Sequence, residues 1–421
     1  MGHSHSRRLF PRRDKLLNQH RRSGSNSGVG GAPFDQLPLL VLECVCHHLC
    51  WHCLTDYAPA RRLSNAEEEV RREGIETLYR LCLVSRAVRD VAQPILFHRF
   101  RGIRAAQIAK FTLILQLRPD LALAVRTLQL ELQSSNEDLT VDLIHLLPSL
   151  RSLELFHAPG GWTFKGLREG CLPSLEMLSI KFFSLGERTA LLKAAPKMRH
   201  LVVSSCNPTV LEDTVTRLES VRRLALNDCF PTARGTAYRD FKSIVDLCDR
   251  LESFELVSGP AGPGRVSGLT GKEIITMLTP RWSSLKHLRL VGYGHDLEHH
   301  AGPDIEPISS LAEFPALVTV AVPTVVIYGS GERRQALKRV SKDFLPPSIK
   351  KLTLEWLWEL DVDVLPVDLL ELTERIAEGR FNGIERIELH SQSWKQIVRR
   401  IPGCDELERS FQSVGVTFKS V

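Results

Sequence analysis

Apolar positions along this chain follow two rhythms. From about residue 35 to residue 97 they recur with the period of a helix. In "FDQLPLLVLECVCHHLCWHC" Asp35 stands as a helix N-cap and Pro38 lies near the first turn. One residue every 100° then puts Leu42, Val45, Cys46, Leu49 and Cys53 on one stripe, with Cys50 at its edge. In "TLYRLCLVSRAVRDVAQPILFHRF" Leu81, Val84, Val88, Val91, Ala92 and Ile95 share a stripe, Arg80, Arg86, Arg89 and Asp90 stay off it, and Pro94 ends or kinks the helix. The polar stretch between them, Leu54 to Gly74, predicts an exposed charged turn or short helix over "SNAEEEVRREG". Short amphipathic helices cannot bury their stripes alone, so these must pack on one another or on a partner.

Beyond residue 100 the rhythm becomes a repeated phrase with apolar residues at its first, fourth and sixth positions, often led by Pro or Ser. Examples are "LPSLRSLELF" at Leu147, "LPSLEMLSIK" at Leu172, "WSSLKHLRLV" at Trp282 and "PPSIKKLTLE" at Pro346. Counted from Val125 through Leu150, Leu175, Met198, Val221, Leu251, Leu285, Leu317, Ile349 and Ile384, the intervals are 25, 25, 23, 23, 30, 34, 32, 32 and 35 residues. This spacing resembles that of leucine-rich repeats, in which L-x-x-L-x-L forms one strand and the turn before it. Each strand buries aliphatics worth about 1.5 to 3 kcal/mol apiece only against its neighbours, so an array is required. Cys206 and Cys229 stand where that family ties the turn after the strand, and "DLLELTERIAEG" at Asp368 predicts a helix on the return.

The two helical segments also resemble a family. "LPLLVLECVCHHL" is similar to the first half of an F-box, and "LYRLCLVSRAVRDVAQPILFHRF" to its second half as it occurs in fungal F-box-like proteins. Leu40 stands where that motif commonly has an acid, and the insert between the halves is longer than usual. The resemblance implies a helical hook that binds the Skp-type linker of a cullin (SCF) ubiquitin ligase, with Leu37, Pro38, Val41, Leu42, Val45, Leu49, Leu81, Leu83 and Val84 on the linker-binding side. The expected fold class is α/β: a leucine-rich-repeat solenoid over 101–421, preceded by a small all-α F-box-like helical domain over 34–100 and a disordered basic tail over 1–33.

Charge sharpens this division. The chain carries a net +6, and residues 1–33 alone hold seven Arg or Lys against Asp14, which leaves 48 charges of each sign in the rest. A neutral body lacks the clustered basic side chains of a phosphate-tracking groove, so nucleic acid is not an expected partner. No apolar run approaches the length needed to cross a bilayer, and "MGHSHSRRLFPRRDK" lacks the apolar centre of a signal peptide. The expectation is a cytoplasmic or nuclear protein whose ten cysteines are reduced thiols or metal ligands. Gly2 followed by Ser6 fits the loose myristoylation pattern, "RRLFPRRDK" fits a nuclear import patch, and an inert tail accounts for both.

Candidate chemistry is sparse. "CVCHHLCWHC" packs four cysteines and three histidines into ten residues, but on the helical wheel three of the cysteines fall on the leucine stripe while His47, His48 and His52 fall elsewhere. They read as small buried hydrophobes, and no metal or cofactor is expected. His295, Glu298 and His299 satisfy the H-x-x-E-H string of one metallopeptidase group, but Gly292, Gly294, Gly302 and Pro303 leave room for barely two helical turns. Strand residues that point away from the core form the expected concave binding face: Glu154, Phe156, Lys181, His200, Ser204, Arg223, Asn227, Glu255, His287, Arg289, Lys351, Glu355, Arg386, Glu388 and His390. Their mixed charges suit a protein surface. The expected function is a non-catalytic substrate-recognition adaptor that holds a protein substrate for the ligase. A repeat scaffold outside any ligase is the second reading, and a metal-dependent hydrolase at His295, Glu298 and His299 the third.

Overall fold

The computed structural model describes residues 38–50, 53, 65–132, 137–156, 163–181, 189–206, 218–229, 236–257, 269–291, 308, 310–328, 340, 344–356, 364–391 and 403–420. Three helices come first: α1 (Leu39–Leu49), α2 (Asn65–Leu81) and α3 (Arg86–Leu96). Pro38 starts α1, its carbonyl accepting the Val41 and Leu42 amides at 2.9 and 3.2 Å. Helix α2 takes in the whole charged stretch instead of leaving it as a turn or short helix. Glu67 and Glu68 complement its N-terminal dipole, and ion pairs of Glu68 with Arg71, Glu69 with Arg72 and Glu76 with Arg80 run along its surface. Ser85 caps α3 by accepting the Val88 amide at 3.3 Å, and Pro94 lies in its last turn. Leu42, Cys46, Cys50, Leu78, Cys82, Val88, Ala92 and Ile95 form the core between the three. At the closest approach a Cβ added to Gly74 of α2 would stand 2.3 Å from the Leu49 carbonyl oxygen of α1, so only glycine fits there.

The remainder is one sheet. Its strands are β1 (Arg99–Gly102), β2 (Thr127–Glu131), β3 (Ser152–Phe156), β4 (Met177–Lys181), β5 (His200–Ser204), β6 (Arg223–Asn227), β7 (Ser253–Val257), β8 (His287–Val291), β9 (Thr319–Pro323), β10 (Lys351–Trp356), β11 (Arg386–Ser391) and β12 (Thr417–Ser420). All neighbours pair in parallel and the order across the sheet is the order along the chain. Helices are interleaved with the strands: α4 (Ala105–Leu117), α5 (Pro119–Ala124), α6 (Glu137–His145), α7 (Thr189–Ala194), α8 (Ala237–Asp246), α9 (Gly271–Leu278), α10 (Thr324–Tyr328), α11 (Val364–Ala377) and α12 (Cys404–Ser413). Among the described residues none of these helices is long and apolar enough to cross a membrane.

The repeated phrase explains the strands. Its first apolar residue closes a turn back to the residue three before it, as Leu150 does to Leu147 and Leu175 to Leu172 (3.2 Å each) and Val221 to Leu218 (3.0 Å). Its fourth and sixth positions, such as Leu153 and Leu155 or Leu178 and Ile180, then point into a core continuous from Ile108 to Phe418. The thiols of Cys206 and Cys229 turn back to the previous strand, to the carbonyls of Ile180 at 3.7 Å and Val203 at 3.3 Å.

The expected fold, a small all-α domain followed by a leucine-rich-repeat solenoid, is overturned. The structure is an α/β fold with one open, twelve-stranded, all-parallel sheet and interleaved helices, not a closed solenoid. The reason lies in what the phrase encodes. It specifies a strand, two inward aliphatics and the turn before them, and nothing in those few residues sets how the sheet closes.

Candidate functional site

Helix α1 carries two apolar faces. Leu42, Cys46 and Cys50 face α2 and α3, which leaves Leu39, Leu40, Val41 and Val45 in solvent, the first two at 67% and 73% exposure. Leu40, Val41, Cys44, Val45, His48 and Leu49 line a shallow apolar groove along this outer side. Leu83 and Val84 are a second exposed pair, 62% and 55%, on the turn between α2 and α3. Of the residues that sequence assigns to linker binding, Pro38, Val41, Val45, Leu83 and Val84 are exposed, Leu42 is in the core, and Leu49 and Leu81 are half-buried against it. Leu37 lies outside the described residues. Leu39, which sequence reasoning passes over, is among the most exposed; its signal is an apolar residue off the buried stripe.

The second surface is the outer face of the sheet, where the first, third and fifth residue of each strand fall into three rows. In the first row His200, Arg223, Ser253, His287, Thr319, Lys351 and Arg386 follow one another across β5 to β11. The middle row runs Glu154, Ser179, Val202, Ala225, Glu255, Arg289, and the last runs Phe156, Lys181, Ser204, Asn227, Val257 across β3 to β7 or β8. Sequence reasoning thus names neighbours on one surface, with two exceptions in degree: Glu355 and Glu388 are buried. At the centre, over β4 to β6, the floor is small and weakly polar (Ser179, Val202, Ala225). Around it stand His200, Arg223, Ser204 and Asn227. His200 Nδ1 and Asn227 Oδ1 are buried there without a hydrogen-bond partner, polar valences that a bound molecule could fill.

Charges on this face are arranged in pairs. Arg289 reaches Glu255 at 2.8 Å. Glu388 meets Lys351 at 2.9 Å, Arg386, and His390 at 3.4 Å; burial alone would raise its carboxyl, but the Lys351 hydrogen bond and charge, then Arg386 and His390, hold it at about 2. Glu154 goes the other way. Burial raises its pKa, against the pull of Arg99, Arg71 and Arg101 and a 3.1 Å hydrogen bond from Gln129. His200 and His287 are lowered by burial and then by Arg223, so both are neutral at neutral pH. His287 is held by the Thr319 hydroxyl at 2.7 Å.

Near the end of α1 a third group appears that the helical wheel does not foresee. The helix stops at Leu49, so Cys53 is not one further step round the wheel. Its amide turns back to the Cys50 carbonyl at 2.9 Å. That turn brings Cys53 Sγ to 3.0 Å from His47 Nδ1 and 3.4 Å from Nδ1 of His98, a residue 45 positions away that follows α3. Cys50 Sγ lies 3.8 Å from the same His98 nitrogen. Burial, then the charge and hydrogen bond of Cys50, push the Cys53 thiol up to about 12, with Arg126 acting against them. Cys46 and Cys50 are buried, as the stripe suggests, whereas Cys44 and Cys53 are exposed. His295, Glu298 and His299 lie outside the described residues. Compared with known proteins, no family model matches the chain and no curated protein matches it.

Proposed function

We propose that this chain is a non-catalytic adaptor: its N-terminal helices dock on a Skp-type linker of a cullin ubiquitin ligase, and its sheet face holds a protein substrate. The observation that carries the reading is the outer side of α1 together with the Leu83–Val84 turn. Six large aliphatics there, Leu39, Leu40, Val41, Val45, Leu83 and Val84, remain in solvent although the same helices bury a full core on their other sides. An apolar surface of this kind on a soluble helical unit marks a protein contact. The similarity of these segments to the two halves of an F-box supplies the class of partner. The sheet face fits the second role, since it offers a small, weakly polar floor with the unpaired His200 Nδ1 and Asn227 Oδ1 inside a rim of both charges. Ubiquitin transfer then follows from proximity alone, with no reacting group on this chain.

The reading is tested by capture of a Skp-type linker with the full chain. Leu83→Asp with Val84→Asp changes only exposed side chains, so the helices stay folded by circular dichroism while linker capture is lost. Failure of the unmodified chain to bind the linker overturns the adaptor and leaves the scaffold outside any ligase. For the sheet face, Arg223→Glu is expected to weaken whatever substrate is captured by about tenfold or more without changing linker binding, as loss of a central interface arginine does.

A further inference from the structure

We propose that His47, Cys50, Cys53 and His98 form a zinc site that fastens the C-terminal end of α1 to the first strands of the sheet. The donor set is two thiols and two imidazoles, the composition of tetrahedral structural zinc sites. Bond lengths of such sites place neighbouring sulfur and nitrogen donors about 3.5 Å apart. The donor atoms of His47, Cys53 and His98 all lie within 4.8 Å of one another, with sulfur-to-nitrogen separations of 3.0 and 3.4 Å, and Cys50 Sγ, outside that trio, stands 3.8 Å from His98 Nδ1 and would have to close on the ion as it binds. Cys50-x-x-Cys53 supplies the knuckle, since the Cys53 amide bonds the Cys50 carbonyl and folds both thiols over the helix end.

Glu43 Oε1 stands 3.8 Å from His47 Nε2, the ring nitrogen turned away from Cys53, beyond hydrogen-bond reach but near enough for its charge to favour a cation at the ring. His98 is fixed by its backbone: its carbonyl accepts the Arg126 and Thr127 amides at 2.9 and 2.8 Å, which joins it to the start of β2. A metal ion held by all four side chains would therefore cross-link α1 to β2 through His98. Two thiolates would neutralise the ion, so no further counter-charge is needed.

This site is independent of the adaptor reading and its test does not pass through it. The full chain, purified under reducing conditions and equilibrated with micromolar zinc, is expected to retain one equivalent after gel filtration. Replacement of zinc by Co2+ should give the thiolate charge-transfer and tetrahedral d–d absorption of a sulfur–nitrogen site. Cys53→Ser and His98→Ala should lose zinc and the cobalt spectrum, whereas Cys44→Ser, at an exposed thiol outside the group, keeps both. Cys53 is exposed, so its replacement leaves the core of α1, α2 and α3 intact. A measurement on the unaltered chain removes any dependence on variants: zinc should slow alkylation of Cys50 and Cys53, read by mass spectrometry, and leave that of Cys44 unchanged. Less than stoichiometric zinc, or equal alkylation rates with and without it, overturns the site. Zinc retained undiminished in both Cys53→Ser and His98→Ala does so too.

Discussion

Glu388 shows how one side chain on the sheet face couples stability to pH. Its folded pKa of about 2 lies below the ordinary carboxylate value of about 4.3. The unfolded chain therefore binds the proton more readily, and the stabilisation is fully present above the unfolded pKa and disappears as pH falls through the folded one. Glu388→Gln is expected to lower stability at pH 6, and the gap from the unmodified chain should close between about pH 4.5 and pH 2. Denaturant titrations across that range check it. The sequence puts Glu388 at an outward strand position but cannot show its burial or its ion pair with Lys351 of β10, which lies 37 positions earlier. The same limit applies to the cysteine-rich stretch. A helical wheel assumes that the helix continues, and Cys53 meets His47 and His98 because it does not.

At the scale of elements, two contacts set how the first three helices fit. Gly74→Ala would drive a methyl group against the Leu49 carbonyl, so α2 must move off α1 at a cost of about 1–3 kcal/mol, measurable by chemical denaturation. Ser85→Ala removes the cap of α3 and should cost about 1 kcal/mol. Helical periodicity exposes α1 and α3 to a reader of the sequence. It hides the length of α2, which sends Leu78 into the core and carries glutamate–arginine pairs on an exposed polar surface with no continuous apolar stripe. Strands β2 to β11 are legible through the repeated phrase. The edge strands β1 and β12 are not, since "RFRG" and "TFKS" each bury a single residue and gain their form from the neighbour they pair with.

Across the whole molecule, the correction from a repeat solenoid to an open twelve-stranded sheet has a cost that the fold must manage, for an open sheet has two edges. At the far edge β12 is the last strand, and α12 packs on it through stacked Phe411 and Phe418 rings 5.3 Å apart. Deleting residues 403–421 should bare β11, lower the thermal midpoint and promote self-association; static light scattering on the truncated chain reads the last of these. The identical order of strands in sheet and sequence bears also on how the protein is made. Every strand leaves the ribosome after the one it will pair with, so each new turn of chain finds a finished template and none has to wait for a distant partner. Such a molecule can be laid down like courses of brick, each strand pairing with the one laid before it.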